Sequence, residues 1–290
     1  EVLMHYLTEE YGNEGSRTHS FGTHAKQAVQ KARDQIASVV SSKREDVIFT
    51  SGATESNNLA ILGLRETGLK EGRKHIITLA IEHKAVLEPC RALEKDGFEI
   101  TVLPVTAGGY VDPDAVRMAL RPDTLMVSIM QVNNETGIRQ PLDDIAKVLC
   151  NHDAYFHTDA AQGFGKDIEP LRNPRIDLIS ISGHKICAPK GVGALVMRRR
   201  GYDRPPLCPL LYGGGQERRL RPGTLPVALI AALGKASELA LRNNMKRKQQ
   251  CRSVRDKAIA ALTKLHPNLT GDQTLVMDHV LNFSIAGLDS

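Results

Sequence analysis

The 290-residue chain has no run of about 18 apolar residues, the length that a membrane-spanning helix needs, and its first residues do not read as a secretory signal. A soluble, cytoplasmic protein with no membrane association is therefore expected. Its five cysteines, Cys90, Cys150, Cys187, Cys208 and Cys251, are scattered without metal-ligand spacing, so no metal site is expected. An odd, dispersed set also fits a reducing compartment better than a disulfide framework. Aromatic residues make up only 4% of the chain, and none interleaves the basic run 242–257, which holds Lys246, Arg247, Lys248, Arg252 and Arg255. That run lacks the stacking platform of a single-strand-binding surface. The net charge is a mild +5 from 38 basic and 33 acidic residues, with a second basic concentration at Arg198-Arg199-Arg200. The long run reads as the solvated face of a helix, against a docking surface for nucleic acid or an acidic protein as the competing reading. Direct nucleic-acid binding is not expected. No internal repeat or low-complexity segment is present.

The composition, 41% hydrophobic and 24% charged, is that of a globular protein with a sizeable core. Helical and strand patterns alternate, which predicts an α/β fold with a mainly parallel sheet flanked by helices. Residues 24–40 are amphipathic, with Ala28, Ala32, Ile36 and Val39 on one side. Strands are predicted at 46–50, 75–79, 99–104, 124–131, 154–158, 178–182 and 191–197. Helices are predicted around 58–62, over 84–95 and over 227–242. The expected division is a large domain, 1–243, followed by the start of a smaller, incomplete C-terminal α+β domain, 244–290.

Chemistry is concentrated in a few segments. Ser182-Gly183-His184-Lys185 follows the apolar-alternating run 176–181, and a lysine at the end of such a strand needs a reason. A surface lysine in a turn made by Gly183 is one reading. A lysine that forms a Schiff base with an aldehyde cofactor is the other, with an upstream aspartate holding a pyridinium nitrogen. Asp159, after the strand 154–158, lies where open α/β sheets place ligands, and it could also cap a helix. The turn Ser51-Gly52-Ala53-Thr54 joins a strand to a helix, so its backbone N–H groups and the Thr54 hydroxyl suit a phosphate. An ordinary capped helix start is the alternative, and the Gly-Lys-Ser/Thr ending of a Walker A loop is missing. His83 can stack on a flat ring and shuttle a proton, although a lone histidine is ordinarily structural.

These segments occur with Thr50-Ser51-Gly52-Ala53-Thr54-Glu55-Ser56-Asn57-Asn58, Glu82-His83-Lys84, Gln131-Val132-Asn133-Asn134-Glu135-Thr136-Gly137 and Gly213-Gly214-Gly215-Gln216-Glu217-Arg218, in an order that resembles cysteine desulfurases and the related selenocysteine lyases. These are class V members of the fold-type I pyridoxal-phosphate enzymes, and the resemblance runs over nearly the whole chain. It implies a fold-type I transferase that binds pyridoxal 5'-phosphate. Lys185 would carry the Schiff base, and His83 would stack on the cofactor and transfer protons. Asp159 would face the pyridine nitrogen, Gln162 the phenolic oxygen, and Asn134 the cofactor or the substrate carboxylate. Ala53, Thr54, Ser182 and His184 would hold the phosphate, joined across a homodimer interface by Thr224 of the other subunit. The implied activity takes sulfur from L-cysteine as an enzyme persulfide, releases L-alanine, and passes the sulfur to an acceptor protein serving iron–sulfur clusters, tRNA or DNA modification.

Two family features are not found in this sequence: the Asn-Ala-Ala-Thr-Thr-like N-terminal motif and the C-terminal segment with the nucleophilic cysteine and the carboxylate-binding arginine. None of the five cysteines matches that nucleophile, and Cys187 reads as a small buried side chain. The 290 residues alone are thus expected to form no persulfide. Selenocysteine lyase and class V aminotransferase are the nearest alternatives. A non-catalytic scaffold in a sulfur-transfer complex is the alternative of a different class.

Overall fold

A computed structural model describes residues 1–16 and 18–287. In chain order its regular elements begin with α1 (Val2–Thr8), α2 (Ser20–Val39), β1 (Val47–Thr50), α3 (Ala53–Leu62), α4 (Arg65–Glu71), β2 (His75–Leu79), α5 (Lys84–Glu94) and β3 (Glu99–Leu103). They continue with α6 (Pro113–Ala119), β4 (Thr124–Ser128), α7 (Leu142–Val148), β5 (Tyr155–Asp159), β6 (Leu178–Ser182), β7 (Gly193–Met197), α8 (Val227–Arg242), α9 (Asn244–Leu262), β8 (Asn268–Leu269) and β9 (Phe283–Ser284). Among the described residues no helix is long and apolar enough to cross a membrane.

The first seven strands form one sheet in the order β1-β7-β6-β5-β4-β2-β3. The β2–β3, β2–β4, β4–β5 and β5–β6 pairs are parallel, while β7 runs antiparallel to both neighbours. The central strands are buried on both faces, which is why they read as nearly continuous apolar runs rather than as alternation. Period two decides the layer: Ile77, Ile179 and Ile181 point into a core shared with α2 and α8, while Ile76 and Leu178 point into the opposite core under α3 and α5. Helix α8 buries residues along its whole length, and α9 buries none.

Several boundaries differ from the sequence reading, each for a visible reason. The helix expected near residue 58 begins at Ala53, so the polar stretch 54–58 is helical and not loop. Ser56 Oγ pairs with Thr50 Oγ1 at 2.8 Å, Asn58 Nδ2 donates to Thr54 O at 2.9 Å, and Asn57 Nδ2 reaches Asp159 at 2.7 Å. Strand β5 extends to Asp159, which makes the aspartate the last strand residue. The strand expected from 191 begins at Gly193, because Gly191 turns the chain at φ +86°.

Some of the basic residues are structural, although α9 itself buries none of its residues. Arg198 is buried and donates to the carbonyls of Asn173 (2.7 Å) and Ile176 (3.1 Å), while Arg200 forks onto Asp177 at 2.7 Å. On α9, Arg252 pairs with Asp278 at 2.9 Å and Arg255 donates to Val280 O at 3.0 Å, so the run expected to face only solvent also ties down the following segment. That segment lies along 135–139, with Met277 N donating to Gly137 O at 2.8 Å. Residues 288–290, the end of the expected second domain, lie outside the described residues.

Candidate active site

A cleft of about 460 Å³ opens where the chain leaves the C-terminal ends of the sheet strands, the place where an open α/β sheet leaves room for a ligand. Its wall at one end is the turn 51–54 between β1 and α3. The first N–H groups of α3 have no intrahelical partners and carry the positive end of the helix dipole, so this end can hold an anion. The turn sits against β7 only because residue 193 is glycine. A Cβ there would come within 2.6 Å of Gly52 Cα and 2.4 Å of Ile181 O. Ser182, at the end of β6, lines the same end of the cleft, and its hydroxyl bonds to His184 Nδ1 at 3.0 Å. Burial, with Lys185 and Lys190 nearby, holds the His184 imidazole below its usual range.

Asp159 lies at the bottom of the cleft and is nearly inaccessible. Its Oδ1 accepts from Ala161 N at 2.9 Å, so the helix-cap-like reading of this side chain is also correct in part. Its Oδ2 accepts from Asn57 Nδ2 at 2.7 Å. Burial pushes the Asp159 carboxyl up, and the hydrogen bonds, with His83 and Lys185, pull it partly back. Asn57 was missed as a site residue. It lies one helical turn past Ala53, on the same face of α3, and the signal was hidden by reading 51–57 as loop.

His83 is both cap and cleft residue: its Nδ1 accepts from Ala85 N at 3.1 Å at the start of α5, and its ring lines the cleft. The preceding Glu82 is fully buried. Its Oε1 accepts from Met130 N at 2.5 Å, and burial, with the Asp159 charge adding to it, pushes its carboxyl well above the usual range. Of the adjacent asparagines, Asn133 is consumed by the turn, its Oδ1 accepting from Glu135 N at 3.0 Å and Thr136 N at 2.9 Å. Asn134 is left to face the cleft.

Lys185 is exposed and stands on a single 3-10 turn, Gly183–Ile186, beyond β6. It lines the cleft and also a second cavity of about 360 Å³ behind it, which is bounded by Lys166, Cys187, Cys251 and His279. Lys166 donates to His279 Nε2 at 3.3 Å, and burial together with Lys166 depresses that imidazole to about 4. Cys187 is not a small buried side chain as expected: it is exposed, in the left-handed conformation at φ +69° that ends the 3-10 turn. Cys90 is buried beside Glu82 and its thiol is pushed up to about 12. Cys208 N donates to Gly63 O at 2.8 Å, behind α3. Among the described residues no cysteine lines the cleft.

Ala53, Thr54, His83, Asn134, Asp159, Gln162, Ser182, His184 and Lys185 therefore come together in one cleft. Thr224 does not line it, and lies exposed on the segment that follows the glycine loop. No group of three or more His, Cys, Asp or Glu side chains that could hold a metal ion exists among the described residues.

Comparison with known proteins gives the same frame. The family model described as "Aminotransferase class-V" matches residues 1–290. The mitochondrial cysteine desulfurase of Drosophila melanogaster is 45% identical over 99% of this chain, which spans 62% of that protein's length. The cysteine desulfurase IscS of Rickettsia prowazekii is 45% identical over the whole chain, which spans 70% of it. Among solved structures, DndA from Streptomyces lividans superposes with a TM-score of 0.94 at 49% identity, covering all of this chain and 81% of that one.

Proposed function

The chain belongs to the class V aminotransferase family, and from that footing we propose that it is a pyridoxal-phosphate-dependent cysteine desulfurase. It would act on L-cysteine with release of L-alanine, working as a homodimer that hands the sulfur to an acceptor protein, and the cysteine that would carry the persulfide is not among the residues that line the cleft. The observation that carries this reading is the convergence in one cleft of the amine of Lys185, the buried carboxylate of Asp159 and the anion-accepting start of α3. The names of the relatives support L-cysteine as the substrate.

The residues present fit that cofactor. A flat pyridine ring with a phosphate arm needs an anion site at one end, an acidic partner for its nitrogen at the other, and an amine between them. The turn 51–54 with Ser182 and His184 provides the first, Asp159 the second, and Lys185 the third. Pyridoxal phosphate, when bound, supplies an aldehyde that links to amines and a ring that accepts the electron pair released from a substrate carbon.

The protein's own work follows from the geometry. Asp159, held on both oxygens by Ala161 N and Asn57 Nδ2, would face the ring nitrogen and favour a proton there. His83, fixed by its bond to Ala85 N, holds a flat ring by stacking. Lys185, exposed on its turn, would supply the amine that holds the cofactor's aldehyde and could carry a proton to or from the substrate α-carbon. Asn134 orients the substrate carboxylate or the cofactor.

Borohydride reduction of the cofactor-loaded chain, followed by peptide mapping, tests the site. The reduced cofactor is expected on Lys185, and recovery on another lysine overturns the assignment. L-cysteine incubated in D2O should exchange its α-proton, read by NMR, and Lys185→Ala should abolish the exchange without any sulfur step being needed.

A further inference from the structure

A carboxylate sits inside the turn that has to accept an anion. Glu55, in the first turn of α3, folds back so that its Oε2 accepts the Ser51 N–H at 2.7 Å. Although burial pushes it up, the Ser51 hydrogen bonds and Arg221 hold the Glu55 carboxyl below its usual range, so it is charged at neutral pH. A fixed negative charge beside a phosphate site repels the ligand that the helix dipole attracts. Arg221 answers it: its Nε donates to Glu55 Oε1 at 3.0 Å, with both side chains about three-quarters covered. Among the described residues neither makes another ion pair.

We propose that Arg221 is a positioning residue which neutralises Glu55, so that the turn 51–54 can take a phosphate dianion. This deepens the proposed function and rests on it. Arg221 reaches the turn from the glycine-rich loop, and that loop is anchored at its middle by a second carboxylate. Glu217 is buried, accepts from Phe49 N at 2.7 Å and from Arg33 at 3.0 Å, and thereby grips the strand that leads into the turn. Glu217, Arg218 and Arg219 hold φ values of +44°, +58° and +67°, which L-residues rarely adopt and which persist only where the surroundings impose them. The loop's shape and the turn's charge are therefore set together.

A competing explanation is that Glu55 serves only the helix start, as acidic residues in a first turn do. Comparing pyridoxal phosphate with pyridoxal, which lacks the phosphate, separates the two. Affinities of both are measured by absorbance and fluorescence titration for the wild-type chain, Arg221→Ala, Glu55→Gln and the double variant. Arg221→Ala should weaken pyridoxal phosphate at least tenfold while pyridoxal changes by less than threefold. Adding Glu55→Gln should restore most of the loss, and Glu55→Gln alone should not weaken pyridoxal phosphate selectively. This last arm reads the proposal even if Arg221→Ala does not fold, as does Arg221→Lys, which should keep most of the preference for the phosphorylated ligand. Equal losses for both ligands, or no recovery in the double variant, overturn the proposal. A wild-type chain that binds the two ligands equally overturns the phosphate reading of the turn itself, and the inference with it.

Discussion

Burial disfavours a charge on Asp159, and its neighbours oppose that effect. Asn57 donates to one oxygen and Ala161 N to the other, against a desolvation that favours the neutral acid. Asn57→Leu removes one of these donors, so the carboxyl should rise further and the pH profile of α-proton exchange should shift to the alkaline side. An unshifted profile would show that Asn57 has no influence on Asp159. Asp159→Asn should slow the exchange on the order of 10²-fold, consistent with loss of a charge-assisted contact in the transition state. His157 gives a stability prediction of definite sign. Its ring is wholly buried between Ser128 Oγ (2.8 Å) and Ser180 Oγ (3.0 Å), and burial lowers it from 6.5 to about 3. The unfolded chain then binds a proton that the folded chain refuses, so stability is full above about pH 6.5 and falls toward pH 3. The slope attributable to this group is about 1.4 kcal/mol per pH unit. Urea midpoints from pH 7 to pH 4 should show that part of the slope missing in His157→Gln.

At the level of elements, the site depends on how closely the β1–α3 turn approaches β7. Gly193→Ala places a methyl against Gly52 and Ile181 O, which cannot both give way because each belongs to a strand or to the turn leading from one. The expected cost is about 1–3 kcal/mol of stability, with a larger relative loss of pyridoxal-phosphate affinity as the turn is displaced. Calorimetry and cofactor titration on the same variant check both halves. The polar stretch after β1 also shows what pattern reading weighs poorly. Ser, Thr and Asn favour loops when their side chains have only local backbone to bind. Here Ser56 and Asn57 are buried and their partners are Thr50 and Asp159, so the helix begins earlier than composition predicts. Strands with both faces buried and the amphipathic α2 and α8 were legible because burial there follows a simple period.

For the whole molecule, Leu211 (56% exposed) and Tyr212 (89% exposed) stand together just before the glycine loop. Apolar side chains grouped at the surface mark a contact site more often than singly scattered ones do. With Thr224 exposed and outside its own cleft, the surface around the glycine loop is where a second copy is expected to pack. Sedimentation should give a dimer, and Leu211→Glu should give a monomer with weakened pyridoxal-phosphate binding. A monomeric wild type that still binds one cofactor per chain would remove the shared-site reading.

The motifs alone were sufficient to recognise the fold class and the family, and nine of the residues they single out line one cleft, because the motifs lie at strand ends where topology brings ligand groups together. Other features depend on contacts between segments remote in sequence, which no local pattern encodes. Asn57 matters through Asp159, Arg221 through Glu55, and the basic residues Arg198 and Arg200 through carbonyls and a carboxylate that make them structural. Cys187 was read as buried because small apolar side chains usually are, yet the end of a 3-10 turn leaves it facing solvent. Charge and polarity are legible in a sequence, but what neutralises them is a matter of three-dimensional proximity.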